Sequence, residues 1–320
     1  MDFKFISVIV PAHNEEQYIS HCLKSLAAQD YPKHKYEVIV VDNNSTDQTS
    51  EIANNFEVKV VQQTSGPVGA VRNTGAKLAN GELLAFIDAD CVAPVDWLSK
   101  GANLLNTHGT VYGGDCDLRK QPHWIEKAWL LENKSPPKDL LGCCIFIRKI
   151  DFLKVGLFDE KITSGEDTKL SNYLKAQDYN VIMTKEINII HLGNPSTLKN
   201  FLLRQVWHSE NYLQNWSGTR SDPTFYFIIL FLIAIMSFIS SLIDRNISNA
   251  LISMPFIFGI PLIFTLKRLR RSKNLEKNLR NLLAIYFLDA VYLSGRILGL
   301  FKSLWKTALQ FTSRQSQRVD

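Results

Sequence analysis

Through residues 1–200, short runs of apolar, mostly β-branched residues alternate with segments in which apolar side chains return at helical spacing. Ile6 to Val10 reads as a strand ending at Pro11, and Ile19, Leu23 and Leu26 mark a helix behind it. Val38 to Val41 is the next strand and runs into Asp42; Ser45-Thr46-Asp47 then offers capping residues for a helix through Ile52. Val58 to Val61 is a third strand, Val68 to Leu78 is helical in pattern, and Leu83 to Ile87 is the strand that delivers Asp88. Such alternation predicts an α/β fold, a mainly parallel sheet flanked by helices. Ligands bind such sheets beyond the carboxyl ends of the strands, where strand order reverses. Pro11-Ala12, Asp42 and Asp88 all stand at predicted carboxyl ends and should converge on one crevice.

After residue 200 the pattern changes. Phe225 to Leu242 is uncharged and apolar all round, long enough to cross a bilayer as a helix. Ala250 to Leu266 is a second uncharged run, interrupted by Pro255 and Pro261, which membrane helices tolerate better than soluble ones. A short polar link joins them, so residues 224–266 predict a transmembrane hairpin. Residues 201–223 precede it and hold Arg204, Gln205, Trp207, His208 and Trp216; they read as an amphipathic linker anchored in the interface by its tryptophans. Residues 267–281 form a strongly basic loop, which beside a span stays cytoplasmic and attracts anionic lipid. Leu282 to Phe301 is apolar again but carries Asp289 and Arg296 on one helix face, with Gly295 and Gly299 beside them. A third full span would put the basic tail (Lys302, Lys306, Arg314, Arg318) outside. The expectation for residues 282–320 is therefore a helix lying in the interface, with a third span as the alternative.

The formal net charge of +5 conceals an asymmetry. Residues 1–200 hold 21 Lys/Arg against 25 Asp/Glu, and residues 201–320 hold 15 against 6. The basic residues flank apolar runs and are not interleaved with aromatics on a soluble face, so the anionic partner is membrane, with no nucleic acid expected. The first residues lack the basic start, long apolar centre and small-residue cleavage site of a secretory signal. Residues 1–220 are accordingly expected on the cytoplasmic side of the cell's inner (plasma) membrane. The five cysteines are odd in number and lack C-x-x-C spacing, which supports neither a disulfide framework nor a zinc site.

Candidate chemistry begins with FIDAD, Phe86 to Asp90. Two carboxylates at a strand end are a natural seat for Mg²⁺ or Mn²⁺ bound to a diphosphate, because a hard cation takes one or two carboxylates and fills its other positions with phosphate oxygens and water. A second acidic pair, Glu166-Asp167, follows Gly165, and His191 follows another apolar strand.

Four ordered blocks across residues 6–192 carry a family resemblance: VIVPAHNEEQYISHCLKSLAAQDYP, VIVVDNNSTDQT, GAVRNTGAKLANGELLAFIDAD and VGLFDEKITSGEDTKL. They resemble the family 2 glycosyltransferases of GT-A fold, in particular the membrane-anchored bacterial type. The resemblance implies a nucleotide-sugar-binding domain over residues 1–200. Pro11, Ala12, Asn14 and Glu15 would line the nucleotide pocket, Asp42 would hydrogen-bond the base, and Arg72 and Asn73 would help enclose the nucleotide. Asp88, with Ala89 beside it, would contact the ribose or the metal shell; Asp90 would ligate the metal, with His191 approaching it. Asp167 would be the general base and Glu166 would support the acceptor.

The implied activity is metal-dependent, inverting transfer of a sugar from a nucleotide-diphosphate sugar, UDP- rather than GDP-linked, in cell-surface polysaccharide or glycolipid synthesis. The membrane segments make a lipid-linked or membrane-proximal saccharide the expected acceptor. Relatives often read E-D-x-D-L-x-x-R-L where this chain reads EDTKLSNYL, with Lys169 in place of an acid and Tyr173 in place of an arginine. Those departures are the support for the alternative, a catalytically silent nucleotide-sugar-binding scaffold in the membrane.

Overall fold

The computed structural model describes residues 3–105, 109–130, 136–214, 216–272 and 279–316. The chain divides into two compact units, residues 1–120 with 135–194 and residues 121–134 with 195–320.

In the first unit, β1 (Ile6–Ala12), α1 (Ile19–Ala27), β2 (Tyr36–Asp42), α2 (Thr49–Asn54), β3 (Lys59–Gln62), α3 (Val68–Leu78) and β4 (Leu83–Phe86) follow the predicted order. Then come β5 (Cys91–Val92), α4 (Trp97–Leu104), β6 (Thr110–Gly113) and β7 (Cys116–Asp117). The next helix, α5 (Trp124–Leu130), belongs to the second unit. The chain returns to the first with β8 (Ile145–Arg148), α6 (Lys149–Val155), α7 (Glu166–Ala176), β9 (Asn180–Met183) and β10 (Ile189–His191).

Seven strands form one sheet in the order β3-β2-β1-β4-β8-β6-β9. It is parallel at β1–β2, β1–β4, β2–β3 and β6–β9; only β8 runs against its neighbours. Strand order reverses between β1 and β4, which sets the crevice at their carboxyl ends. β1 is buried on both faces: Val8 and Val10 pack with Leu23 and Leu26 of α1, while Ile9 packs with Ile39 and with Val71 of α3. A smaller sheet, β5-β10-β7, sets His191 opposite Cys91.

Two local expectations change. β1 continues through Pro11 to Ala12, paired with Asp42. The β4 ladder has already ended at Ile9 with Phe86, so the missing N–H of Pro11 interrupts nothing on that side. Ser45 does not cap α2, because its N–H and hydroxyl turn back to the Asp42 carboxylate. Asp47 serves the helix start instead, accepting from the Thr49 N–H and hydroxyl and from the Glu16 N–H.

The second unit is helical: α5, α8 (Leu198–Ser209), α9 (Trp216–Ser221), α10 (Pro223–Ile243), α11 (Ile247–Arg271) and α12 (Leu279–Ser316). Three segments are long and apolar enough to cross a membrane: Pro223–Ile243, Ile247–Arg271 and Leu279–Ala308. Asp222 caps α10 by accepting from the Thr224 N–H, with Pro223 in the first turn. α11 runs unbroken through Pro255 and Pro261, and the Thr265 hydroxyl donates to the Pro261 carbonyl. The charges of α12 are met inside the helix group. Asp289 is fully buried against Arg268 and Thr265, each at 2.9 Å, and Arg296 reaches the Tyr212 hydroxyl at 3.4 Å. Gly295 and Gly299 let α8 approach α12 closely; a Cβ on Gly299 would lie 2.0 Å from Ser209 Oγ. Residues 273–278, the middle of the basic loop, and 317–320, the end of the basic tail, lie outside the described residues.

Candidate active site

Asp42 ends β2 and Asp88 stands two residues beyond β4, on either side of the end of β1. Asp42 is buried, and Ser45 orients its carboxylate. Pro11 and Ala12 close β1 as buried strand residues, so the crevice meets their backbone. Asn14 takes a left-handed φ of 57° and ties two loops together. Its side-chain oxygen accepts from the Thr46 N–H at 2.8 Å, and its own N–H donates to Ser45 Oγ at 2.9 Å.

Arg72 is the hinge of the constellation. It sits on the buried face of α3 and donates from Nη2 to Asp88 at 2.7 Å and from Nη1 to Glu166 at 2.6 Å. One guanidinium thus joins the carboxylate after β4 to the acidic pair at the start of α7. Asn73, expected to help enclose the nucleotide, is fully buried. Its amide nitrogen donates to the Phe158 carbonyl and to Glu160, and its oxygen accepts from the Phe158 N–H. Every donor of that amide is spent holding the 158–160 loop, so the residue positions structure beside the site.

Gly165 opens α7 at φ +82°, a conformation that favours glycine, and projects Glu166 and Asp167 from the first turn. Asp167 Oδ2 accepts from the Gly142 N–H at 3.0 Å and Oδ1 from the Thr168 N–H at 2.7 Å. Burial, and next the charge of Glu166, push the Asp167 carboxyl up to about 6. Lys169 pairs with Asp159 and lies over the Tyr173 ring, so the two departures from the family pattern interact with each other on the helix surface.

The other acids gather around Asp90. Burial pushes Glu15 up to about 8, helped by the charges of Asp90 and Asp88. Asp88 rises to about 6 through burial, with Arg72 opposing the rise. Three carboxyls facing one another make a pocket that favours a cation. His191 Nδ1 lies 3.5 Å from Asp90 Oδ2 and is buried without a hydrogen-bond partner. Asp90, Cys91 and His191 each offer an atom within 4.8 Å of the others. The Cys91 thiol is pushed well up, first by burial and then by its bond with Cys143, and leans on Asp90 Oδ1. A neutral thiol leaves carboxylate and imidazole as the effective donors, a set that fits a divalent ion.

Two glycines complete the site without having been singled out in the sequence. A Cβ on Gly193 would lie 2.0 Å from Asp90 Oδ2, and one on Gly142 would lie 2.6 Å from Arg72 Nη2. Neither stands in a motif, and the long-range contacts that demand glycine exist only in the folded chain. Ala89 is buried between the two aspartates.

Residues 7–146 match the family model described as glycosyl transferase family 2. The chain carries a glycosyl transferase family 2 domain over those residues. It is a glycosyl-transferring enzyme, as the resemblance implied. It is 29% identical to glycosyltransferase AglE of Haloferax volcanii over 228 residues, 66% of this chain and 74% of AglE. Over 108 residues it is 42% identical to the poly(ribitol-phosphate) beta-N-acetylglucosaminyltransferase TarS of Staphylococcus aureus strain Mu50. That match spans 32% of this chain and 19% of TarS, a small part of that relative. Among solved structures, the mannosyltransferase PcManGT from Pyrobaculum calidifontis, in complex with GDP-Man and Mn²⁺, aligns with a TM-score of 0.61 at 19% identity. The alignment covers 96% of this chain and 88% of that one, and establishes the GT-A fold.

Proposed function

We propose that this glycosyltransferase moves a sugar, with inversion, from a nucleotide-diphosphate sugar to a lipid-linked or membrane-proximal saccharide. The observation that carries the reading is the Arg72 bridge, which brings a donor-side carboxylate, Asp88, and the acceptor-side pair, Glu166-Asp167, around one buried guanidinium. Asp90 and His191 would hold Mg²⁺ or Mn²⁺, which when bound stabilises negative charge on the departing diphosphate.

The nucleotide would lie across the ends of β1, β2 and β4. Asp42 accepts from a ring N–H of the base, a bond that uracil and guanine can both donate; the family resemblance is what favours uracil as the donor base. Pro11, Ala12, Asn14, Glu15 and Ala89 line its pocket, and Asp88 meets the ribose or the ion's shell. Asp167 takes the proton of the acceptor hydroxyl as that oxygen bonds to the anomeric carbon. The bond from that carbon to the diphosphate breaks, and the electron pair leaves with the nucleoside diphosphate. Glu166 orients the acceptor while held by Arg72. The three apolar helices support membrane association, and we place the first unit on the cytoplasmic face of the inner membrane, where nucleotide sugars are available. TarS is by name a transferase of N-acetylglucosamine to a poly(ribitol-phosphate), which supports a role in cell-surface polysaccharide or glycolipid synthesis.

The test is a transfer assay with UDP-sugars and a short-chain lipid-linked saccharide, the product read by NMR for anomeric configuration, with Asp167→Asn in parallel. An inverted product, lost in Asp167→Asn by about 100- to 10,000-fold, is expected of a general base. Retention of configuration, or full activity in the variant, would sink the proposal.

A further inference from the structure

The helical unit contains a cavity of about 350 Å³ that the glycosyltransferase reading does not use. Its size falls within the range of about 300–1,000 Å³ typical of small-ligand sites. Lys267, Arg268 and Arg271 reach it from the end of α11, Arg296 from α12, and Trp129 and Tyr292 supply aromatic walls. Thr224, at the start of α10, also lines it, so it lies at the end of the hairpin where both candidate spans meet the basic segment.

Charge in this cavity is out of balance. Arg268 is answered by Asp289 at 2.9 Å, and its guanidinium lies 3.7 Å from the centre of the Trp129 ring. Lys267, Arg271 and Arg296 have no ion-pair partner among the described residues. The Nε atoms of both Arg268 and Arg296 are buried with no hydrogen-bond partner. Buried donors are normally satisfied, and cations gathered at the edge of apolar helices repel one another unless an anion joins them. Guanidinium forks match phosphate oxygens, and apolar helix surface beside them matches a hydrocarbon chain.

We propose that this cavity binds the phosphate or diphosphate headgroup of a membrane amphiphile, with Arg271 and Arg296 as its principal ligands and Trp129 and Tyr292 packing the first carbons of the chain. The site is built wholly within the helical unit and does not depend on the donor reading. Two sources share this chemistry: a bilayer phospholipid and an isoprenoid phosphate.

The experiment uses full-length protein in neutral detergent, titrated by native mass spectrometry with farnesyl phosphate, phosphatidylglycerol, inorganic pyrophosphate and farnesol. Arg271→Ala and Arg296→Ala are compared with Arg270→Ala, which removes a charge at the same depth outside the cavity. Arg296→Lys and a thermal-unfolding scan of each variant check that the fold survives. The expected result is binding of a phosphate-bearing amphiphile weakened about tenfold in each cavity variant and less than about twofold in Arg270→Ala. Preference for phosphatidylglycerol identifies bilayer lipid, and preference for farnesyl phosphate an isoprenoid carrier. Equal loss in all three alanine variants, pyrophosphate or farnesol bound as tightly as the amphiphiles, or no binding by the unaltered protein, overturns the proposal.

Discussion

Replacing Arg72 by methionine removes a guanidinium that compensates two carboxylates at once. The arginine side chain is 3% exposed, Glu166 5% and Asp88 28%. Breaking a buried pair by removing one partner costs about 3–5 kcal/mol, and the partial exposure of Asp88 argues for the lower end. For a unit of this size each kcal/mol shifts the melting temperature by about 2–4 °C, so a loss of roughly 6–12 °C is expected. The loss should depend on pH. The Asp88 carboxyl is raised from 3.8 to about 6 even with Arg72 opposing the rise. A raised carboxyl is a cost that is absent below its unfolded value and complete above its folded one. Without Arg72 the folded value climbs further, so the deficit of Arg72→Met should be small near pH 4 and largest at pH 8. All five cysteines lie in the first unit and four are buried, so their reaction with 4,4′-dithiodipyridine during a thermal ramp reports unfolding of that unit alone. A deficit under about 1 kcal/mol at pH 8, below the range for buried pairs, or one equal at pH 4 and pH 8, would refute the reasoning.

Gly193→Ala should displace Asp90, because its Cβ falls 2.0 Å from Oδ2; Mn²⁺ affinity, followed by electron paramagnetic resonance, is expected to drop more than tenfold, about 1.4 kcal/mol, with the melting temperature little changed. The transfer rate at limiting substrate should rise with pH and level off above about 6, since Asp167 must be ionised to accept a proton; a rate that falls across pH 5–7 contradicts its role. Asn73→Ala strands the Phe158 backbone groups that the amide satisfies, and should cost about 1–3 kcal/mol in thiol-reported stability while leaving nucleotide affinity within about twofold.

Much of the donor side was legible because it is local. Continuous apolar runs followed by Asp42 and Asp88 place carboxylates at parallel strand ends, and the sheet topology brings them together as expected. α3 likewise matches its expected range, Val68–Leu78. What the sequence hid is non-local. The bond from Arg72 to Glu166 crosses 94 positions, and the one from Asn73 to Phe158 crosses 85. Nothing in the order of residues 72 and 73 says which side chain faces the crevice and which braces a loop. The same holds for Gly142 and Gly193, whose need for a missing Cβ comes from Arg72 and Asp90 arriving from elsewhere in the chain. Pro255 and Pro261 appeared to break the second apolar run, yet α11 carries both; prolines within an apolar span are a poor guide to where a membrane helix stops.

The most direct test of the account is nucleotide binding by the purified full chain in detergent. UDP, GDP and their common sugars would be titrated with Mn²⁺ and with EDTA, alongside Asp90→Ala and Asp167→Ala. The account predicts binding that prefers a uridine nucleotide, requires the ion, disappears in Asp90→Ala and persists in Asp167→Ala. No nucleotide bound by the folded protein under any of these conditions, or binding indifferent to both the ion and Asp90, would contradict it.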